Sequence, residues 1–219
     1  EYMEEIHKTG AKLFIQITAG MGRSWAIPTP LVMLHNMPVV RDLIKPIFNI
    51  PYQSASPSEL PSRWSDKVTC RAMTVKEIEE IVEAFAKTAL MCKEAGVDGV
   101  EVHAVHEGYL LDQFTLKYTN HRTDEYGGSF ENRYRFATDI VKAIKERCGA
   151  DYPVSLRYSV ESKVKDFCVG ALPGETYTEV GRDMEESEKA AKYLQDAGYD
   201  MLNADNGTYD SWYWAHPPM

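Results

Sequence analysis

Four residues with side chains suited to acid–base chemistry lie at the end of one short apolar run of this 219-residue sequence or just after it. A strand is predicted over Gly99–Ala104, and it carries His103 near its carboxyl end. His106, Glu107 and Tyr109 follow within six residues. Imidazole, carboxyl and phenol groups transfer protons or stabilise a developing oxyanion when they surround one ligand. This cluster is therefore the first candidate for a catalytic site.

The same cluster permits a metal interpretation. His103, His106 and Glu107 are residue types that bind zinc, and they would serve a metal-dependent hydrolase on a barrel. Zinc motifs of this composition lie on helices, however, whereas this cluster ends a strand. We therefore expect no metal here and keep the hydrolase as an alternative function.

Two further polar residues interrupt apolar strands. Gln16 lies within the run KLFIQIT, where it could simply satisfy a buried backbone group. Arg157 lies between Leu156 and Tyr158, where a buried charge requires a partner. A functional role is the better explanation for Arg157.

Strands alternate with helices along the chain, which predicts βαβ units, parallel strands and right-handed crossovers. A capping box at Thr74–Glu77 begins one helix, and glycines end others. The predicted helices cover about residues 74–94, 130–147 and 185–196. The predicted strands are Lys12–Thr18, Gly99–Ala104, Pro153–Ser159 and Asp200–Asn206.

Two long polar segments, at about 23–71 and 160–182, follow predicted strands. They therefore leave from the carboxyl ends of the strands, which is the face where barrels build their sites. Loops of this length in a compact domain are usually binding loops or lids. Four βα units fit either part of a (β/α)8 barrel or a small doubly wound sheet, and periodicity alone does not separate them.

Composition excludes several classes of protein. The net charge is −9, and the 24 Lys and Arg residues do not cluster in the sequence, so we expect no nucleic-acid partner. No apolar run approaches the roughly 20 residues that cross a bilayer, so we expect no membrane partner. Four separated cysteines predict scattered core thiols rather than disulfides. The composition is typical of a cytoplasmic protein.

Two longer motifs carry a family resemblance. The runs GYLLDQF (108–114) and NHRTDEYGGSFENR (120–133) resemble the signature of the Old Yellow Enzyme family. Phe14-Ile15-Gln16, Arg71-Ala72-Met73-Thr74 and Leu156-Arg157 agree with it in order. Within the family, the sequence is most similar to the branch of 2-enoate reductases, 2,4-dienoyl-CoA reductases and bile-acid oxidoreductases.

The resemblance implies an α/β fold, a partial TIM barrel of about four consecutive βα units that match the third to sixth strands of the family barrel. Residues 1–219 would then be a fragment of a single FMN-binding domain, and the first residue, Glu1, is not methionine. The loops that hold the flavin phosphate would lie outside the fragment, so we expect this polypeptide alone to bind FMN poorly. The edges of its sheet would be open, so we expect them to pair with the rest of the barrel or with an oligomeric partner.

The resemblance also implies roles for individual residues. Gln16 would hydrogen-bond the isoalloxazine edge, and Arg157 would face the flavin N1–C2=O locus. Tyr109 would protonate the substrate α-carbon, while His103 and a partner hold the carbonyl oxygen. That partner is His106 when counted forward from His103 and Glu107 when counted back from Tyr109. His216 aligns with an active-site histidine of the dienoyl-CoA branch.

The predicted function is an FMN-dependent reductase of C=C bonds conjugated to a carbonyl, with NAD(P)H as the electron donor. Enoates, enoyl-CoA thioesters and steroids all fit this chemistry. No G-x-G-x-x-G motif occurs, and the 4Fe-4S cluster and FAD of long relatives would lie outside this chain. A non-catalytic barrel fragment is the remaining alternative.

Overall fold

A computed structural model describes residues 1–105 and 107–215 of the chain. Its main sheet has four parallel strands in the order β1-β4-β5-β8. The strands of the chain are β1 Phe14–Ile17, β2 Leu60–Ser62, β3 Ser65–Cys70, β4 Gly99–Ala104, β5 Val154–Ser159, β6 Val164–Asp166, β7 Val169–Gly170 and β8 Met201–Asp205. The helices are α1 Tyr2–Lys8, α2 Thr29–His35, α3 Pro38–Ile44, α4 Ile50–Gln53, α5 Val75–Glu94, α6 Leu110–Thr115, α7 Phe130–Cys148, α8 Met184–Ala197 and α9 Trp212–Ala215.

The strand order separates the two folds that the sequence left open. Each strand of the main sheet lies beside the next one along the chain, without the reversal that defines a doubly wound sheet. Sequential parallel strands joined by helices are the arrangement of a (β/α)8 barrel. The prediction of a partial TIM barrel is confirmed.

The hydrophobic core lies on the outer face of the sheet, against α5 and α7. Val100 and Val102 of β4 and Val154 of β5 are fully buried there, together with Ile140 and Ile144 of α7. The other face of the sheet carries the residues between these positions, because side chains alternate along a strand. That inner face is polar, and it holds the candidate site.

The predicted caps of the helices are present. Thr74 and Glu77 form the reciprocal capping box that begins α5. Gly96 and Gly198, just after α5 and α8, have φ values of +85° and +124°, which favour glycine. These caps set where each helix ends and the next strand begins.

The segment predicted as a long loop at 23–71 contains regular structure. A 3-10 helix at Gly22–Ser24, the short helices α2 to α4 and the β2–β3 hairpin lie within it or at its start. The second segment, 160–182, contains the β6–β7 hairpin. Both segments lie at the carboxyl ends of strands, as predicted.

The cysteine prediction needs one correction. Cys70, Cys92 and Cys148 are buried thiols, but Cys168 is exposed at the tip of the β6–β7 hairpin, where its φ is +60°. Within the two described ranges, no helix combines the length and apolar character needed to cross a membrane.

Candidate active site

A row of hydrogen bonds crosses the inner face of the sheet. The Gln16 side-chain amide donates to Glu101 Oε1 at 2.6 Å. Glu101 Oε2 accepts from Ser155 Oγ and from Asn203 Nδ2, each at 3.1 Å. These four residues come from β1, β4, β5 and β8, so the network orients side chains across the whole sheet.

Arg157 lies on the same face, next to His103. The two residues are register partners across β4 and β5, and Arg157 Nη2 donates to Asp205 Oδ2 of β8 at 2.7 Å. The side chain of Arg157 keeps 34% of its surface exposed. Asp205 is thus the partner that the sequence required for this charge, and it fixes the direction of the guanidinium group.

Gln16 and Arg157 are two strands apart on this face. Gln16 pairs with Glu101, two residues before His103, and His103 pairs with Arg157. With strands about 4.8 Å apart and a rise of about 3.3 Å per residue, their Cα atoms would be roughly 12 Å apart on a flat sheet.

His103 and Tyr109 are in direct contact at the carboxyl end of β4. Their ring centroids are 3.8 Å apart, with an interplanar angle of 57°. Tyr109 is the N-cap residue of α6, and the next residue, Leu110, donates its backbone N–H to Gly20 O at 2.9 Å. Because Gly20 lies three residues after β1, this bond ties the tyrosine to the end of the strand that carries Gln16.

The Glu107 carboxylate pairs with two arginines. It is fully buried and pairs with Arg23 at 2.5 Å and with Arg63 at 3.4 Å. Arg63 also pairs with Asp210 at 2.6 Å. Glu107 is therefore held in a buried ionic cluster that joins the 23–71 segment to the segment after β8.

Burial raises the pKa of Glu107 to about 7, although the charges of Arg23 and Arg63 act in the opposite direction. Its backbone is also unusual, with a φ of +52°. The Glu107 N–H donates to Asp112 Oδ2 at 2.6 Å, and Gln113 Nε2 donates to its carbonyl oxygen at 2.8 Å. The main chain just before Tyr109 is thus held by two residues of α6.

Asp112 connects this turn to a second buried ion pair. Arg182 Nη2 donates to Asp112 Oδ1 at 2.7 Å, and both side chains are 2% exposed. Arg182 Nε also donates to the Tyr134 hydroxyl at 2.8 Å. Asp112 therefore links the turn that carries Tyr109 to the segment before α8.

Two predicted site residues, His106 and His216, lie outside the described residues. Within the described part of the chain, no group of three or more His, Cys, Asp or Glu side chains could hold a metal ion. The described members of the predicted site divide into two groups. Gln16, His103 and Arg157 share the inner face, and Tyr109 contacts His103, whereas Glu107 lies in the ionic cluster.

Sequence reasoning missed several residues of this site. Glu101 and Ser155 each lie two positions before a predicted site residue, so the two-residue period of a strand would have found them. Arg63 and Asp210 carry no such signal, because ion pairing joins segments that are distant in the sequence.

The inner face suits a flavin. An isoalloxazine ring has hydrogen-bond donors and acceptors along one edge, and it becomes anionic there on reduction. The exposed amide of Gln16 can donate and accept along such an edge, and the guanidinium of Arg157 supplies a positive charge. These residues would hold the ring, and they fit its chemistry.

Known proteins that are similar to this chain identify its family. Residues 1–206 match the NADH:flavin oxidoreductase / NADH oxidase family. Cinnamate reductase from Clostridium sporogenes is 52% identical over 219 residues, which is 100% of this chain and 30% of that protein. A 2-naphthoyl-CoA reductase complex is 34% identical, with a TM-score of 0.61 over 72% of this chain and 22% of that one.

The old yellow enzyme homologue from Zymomonas mobilis has a TM-score of 0.65 and 25% identity, over 99% of this chain and 54% of its own. The chain thus spans about a third of the length of the cinnamate reductase and about half of this homologue. The match to the family covers most of the sequence, including the strands that carry Gln16, His103 and Arg157. We conclude that the chain belongs to the NADH:flavin oxidoreductase family, also called the Old Yellow Enzyme family.

Proposed function

We propose that the full-length protein is an FMN-dependent ene-reductase that uses NAD(P)H to reduce a C=C bond conjugated to a carboxylate. The contact between the His103 and Tyr109 rings, at 3.8 Å, is the observation that carries the proposal. It sets a carbonyl-binding group beside a proton donor at the end of a strand whose neighbours carry Gln16 and Arg157. The similarity to a cinnamate reductase supports an enoate, and an arylacrylate in particular, as the substrate.

Tyr109 is the proposed general acid. Its hydroxyl would donate a proton to the substrate carbon next to the carbonyl group. The N-cap position of Tyr109 and the hydrogen bond from Leu110 to Gly20 restrict where the ring can move. A proton donor held in this way needs little reorganisation during the reaction.

His103 is proposed to bind the substrate carbonyl oxygen. A hydrogen bond from imidazole to that oxygen stabilises the negative charge that develops as the double bond is reduced. The sequence leaves two alternatives for the partner of His103 in this role, His106 and Glu107. The Glu107 carboxylate is engaged by Arg23 and Arg63, so we favour His106 as the partner.

Gln16 and Arg157 are proposed to hold the flavin ring, and FMN supplies the hydride when it is bound. Arg157 would balance negative charge at the N1–C2=O edge, and Asp205 keeps its guanidinium in place. Gln16 would hydrogen-bond the ring edge while Glu101 orients its amide. The metal-dependent hydrolase is no longer needed as an alternative, because the family and the donor set both favour flavin chemistry.

The test is an anaerobic single turnover of the full-length protein. The protein is reduced with NADH and then mixed with cinnamate, a 2,4-dienoyl-CoA or a 3-oxo-Δ4 steroid. We expect cinnamate to oxidise the reduced flavin rapidly, with one molecule of cinnamate reduced for each flavin oxidised. If no unsaturated carbonyl compound oxidises the reduced protein, the ene-reductase proposal is wrong and the non-catalytic alternative is favoured.

A further inference from the structure

A basic cavity lies within the 23–71 segment. It has a volume of about 530 Å³ and is bounded by α2, α3, α4 and the outward face of β3. Among its described lining residues, four are cationic and one is a carboxylate, Asp42; the cations are Arg41, Lys45, Lys67 and Arg71. The sequence showed no basic cluster in this acidic chain, so folding creates one from residues up to 30 positions apart.

The four cations differ in how far their charge is balanced. Arg71 pairs with both oxygens of Glu77, at 2.7 and 2.8 Å, which holds its guanidinium in one orientation. Arg41 Nε contacts Asp42 at 3.2 Å. Within the described residues, Lys45 and Lys67 have no ion-pair partner. Two ammonium groups therefore remain available for an anionic ligand.

The cavity also offers an aromatic surface. Tyr52 lines it, and the Arg71 guanidinium stacks on the Tyr52 ring at 4.8 Å from the centroid. Tyr52 still exposes 63% of its surface, so a ring face remains for a flat partner. Phe48 lines the same cavity and packs against Trp25, with centroids 6.1 Å apart. Planar bases stack on such side chains.

The half-buried His35 lines the cavity, and its pKa is sensitive to the charges around it. Burial lowers the pKa of His35, and the positive charge of Arg41 lowers it further. Arg41 therefore contributes positive charge close to this part of the cavity wall. An anionic ligand would offset this charge, because several like charges in one concave site attract counter-ions.

We propose that this cavity binds the adenosine phosphate portion of a nucleotide ligand, with phosphates on Lys45 and Lys67 and the adenine ring against Tyr52. The inference rests on the proposed function for one source, NAD(P)H, and an acyl-CoA thioester is a second source that would carry the same adenosine phosphate group. Two available ammonium groups beside an exposed aromatic ring suit a phosphate-bearing base better than a lone carboxylate. Ligand cavities of roughly 300 to 1,000 Å³ are of the size required.

The position of the cavity suits such a ligand. A second cavity, of about 760 Å³, shares Phe48, Tyr52 and Arg71 with the first one. It is also lined by residues 19–22, which lie two to five residues after the end of β1 and precede Arg23. A ligand anchored by its phosphates can therefore extend along this second cavity toward the strand that carries Gln16.

The test is calorimetric titration of ADP into the oxidised full-length protein, comparing the parent with Lys45→Ala/Lys67→Ala. Both lysines are exposed, so the fold should tolerate the changes. We expect affinity to fall about tenfold, since each exposed ion pair contributes up to about fivefold. The matched control is Lys142→Ala/Lys192→Ala, which removes two exposed charges from α7 and α8 and should change affinity less than twofold.

A third variant, Tyr52→Leu, should weaken ADP but leave pyrophosphate binding unchanged, because it removes only the stacking surface. Titrations with 3′,5′-ADP and 2′,5′-ADP identify the source: tighter 3′,5′-ADP indicates an acyl-CoA, and tighter 2′,5′-ADP indicates NADPH. ADP that binds at any other nucleotide site of the full-length protein would bind with the same affinity in all variants. Absence of ADP binding, or ADP binding that Lys45→Ala/Lys67→Ala leaves unchanged, overturns the inference. Because no turnover is measured, that failure would leave the ene-reductase proposal standing.

Discussion

The buried ion pair between Asp112 and Arg182 should be one of the main supports of the candidate site. We consider the substitution Asp112→Asn, which keeps the shape of the side chain and removes its charge. In the parent, Asp112 Oδ1 accepts from Arg182 and Oδ2 accepts from the Glu107 N–H at 2.6 Å. Asparagine has a single acceptor oxygen in its side chain, so its NH2 group must face either the Arg182 guanidinium or the Glu107 N–H.

The magnitude follows from burial. Both side chains are 2% exposed, and Asp112 is the carboxylate that pairs with Arg182 within the described residues. Breaking a buried pair on one side costs about 3–5 kcal/mol, because a buried charge is left uncompensated. In a single domain of 150 to 250 residues, that loss would lower the midpoint of thermal unfolding by roughly 6 to 20 °C, and in a larger barrel domain by less.

The measurement is calorimetric unfolding of the full-length protein, with Asp196→Asn as the control. Asp196 pairs with Lys192 across one turn of α8, and both side chains are at least 60% exposed. Removing such a pair costs about 0.3–0.5 kcal/mol. The double variant Asp112→Asn/Arg182→Met should lose less stability than the sum of its single variants. If Asp112→Asn is no less stable than Asp196→Asn, the reasoning about this buried pair is refuted.

Three further predictions concern single residues. Hydrogen bonds from Arg71 lower the pKa of Glu77 to about 2 in the folded protein, from the ordinary value of 4.5 that it has in the unfolded chain. Ionised Glu77 therefore stabilises the fold above pH 4.5, and this stabilisation is lost as the pH falls toward 2. The free energy of unfolding, measured as a function of pH, should differ by up to about 3 kcal/mol between the parent and Glu77→Gln, and the difference should disappear below pH 2. A difference that stays constant with pH would contradict this. Arg157→Met should lower the flavin reduction potential measured in the full-length protein, because a cation near the ring is lost; an unchanged potential in a variant that still binds flavin would contradict the assignment. Gly108→Ala would put a Cβ 2.2 Å from the Tyr209 ring, so it should cost about 1–3 kcal/mol and lower turnover. The double variant Gly108→Ala/Tyr209→Ala should lose less stability than the sum of its single variants, and additive losses would show that crowding is not the cause.

Much of the fold was predictable from the sequence, because local signals determine it. The four predicted strands agree with the observed ones to within two residues at each end, and the capping box of α5 is present at Thr74 and Glu77. The need of Arg157 for a partner was also predictable, since a charge in a strand must be compensated. The identity of that partner, Asp205, was not, because it lies 48 residues further along the chain.

The 23–71 segment shows why the remainder was not predictable. Its helices have four to seven residues, too few for hydrophobic periodicity to be recognised, and such short helices are stable only through tertiary contacts. The ionic cluster of Arg23, Arg63, Glu107 and Asp210 joins four separate places in the chain. No spacing rule in one sequence indicates such a set, and it changes how Glu107 is interpreted.

The most direct test of the central claim is a comparison of Tyr109→Phe with the parent in the two half-reactions of the full-length protein. Phenylalanine keeps the ring that contacts His103 and removes only the hydroxyl group. We predict that NADH reduces the flavin of both proteins at the same rate, whereas oxidation by cinnamate slows by about 10²- to 10⁴-fold in the variant. Oxidation by cinnamate at the parental rate would contradict the assignment of Tyr109 as the proton donor.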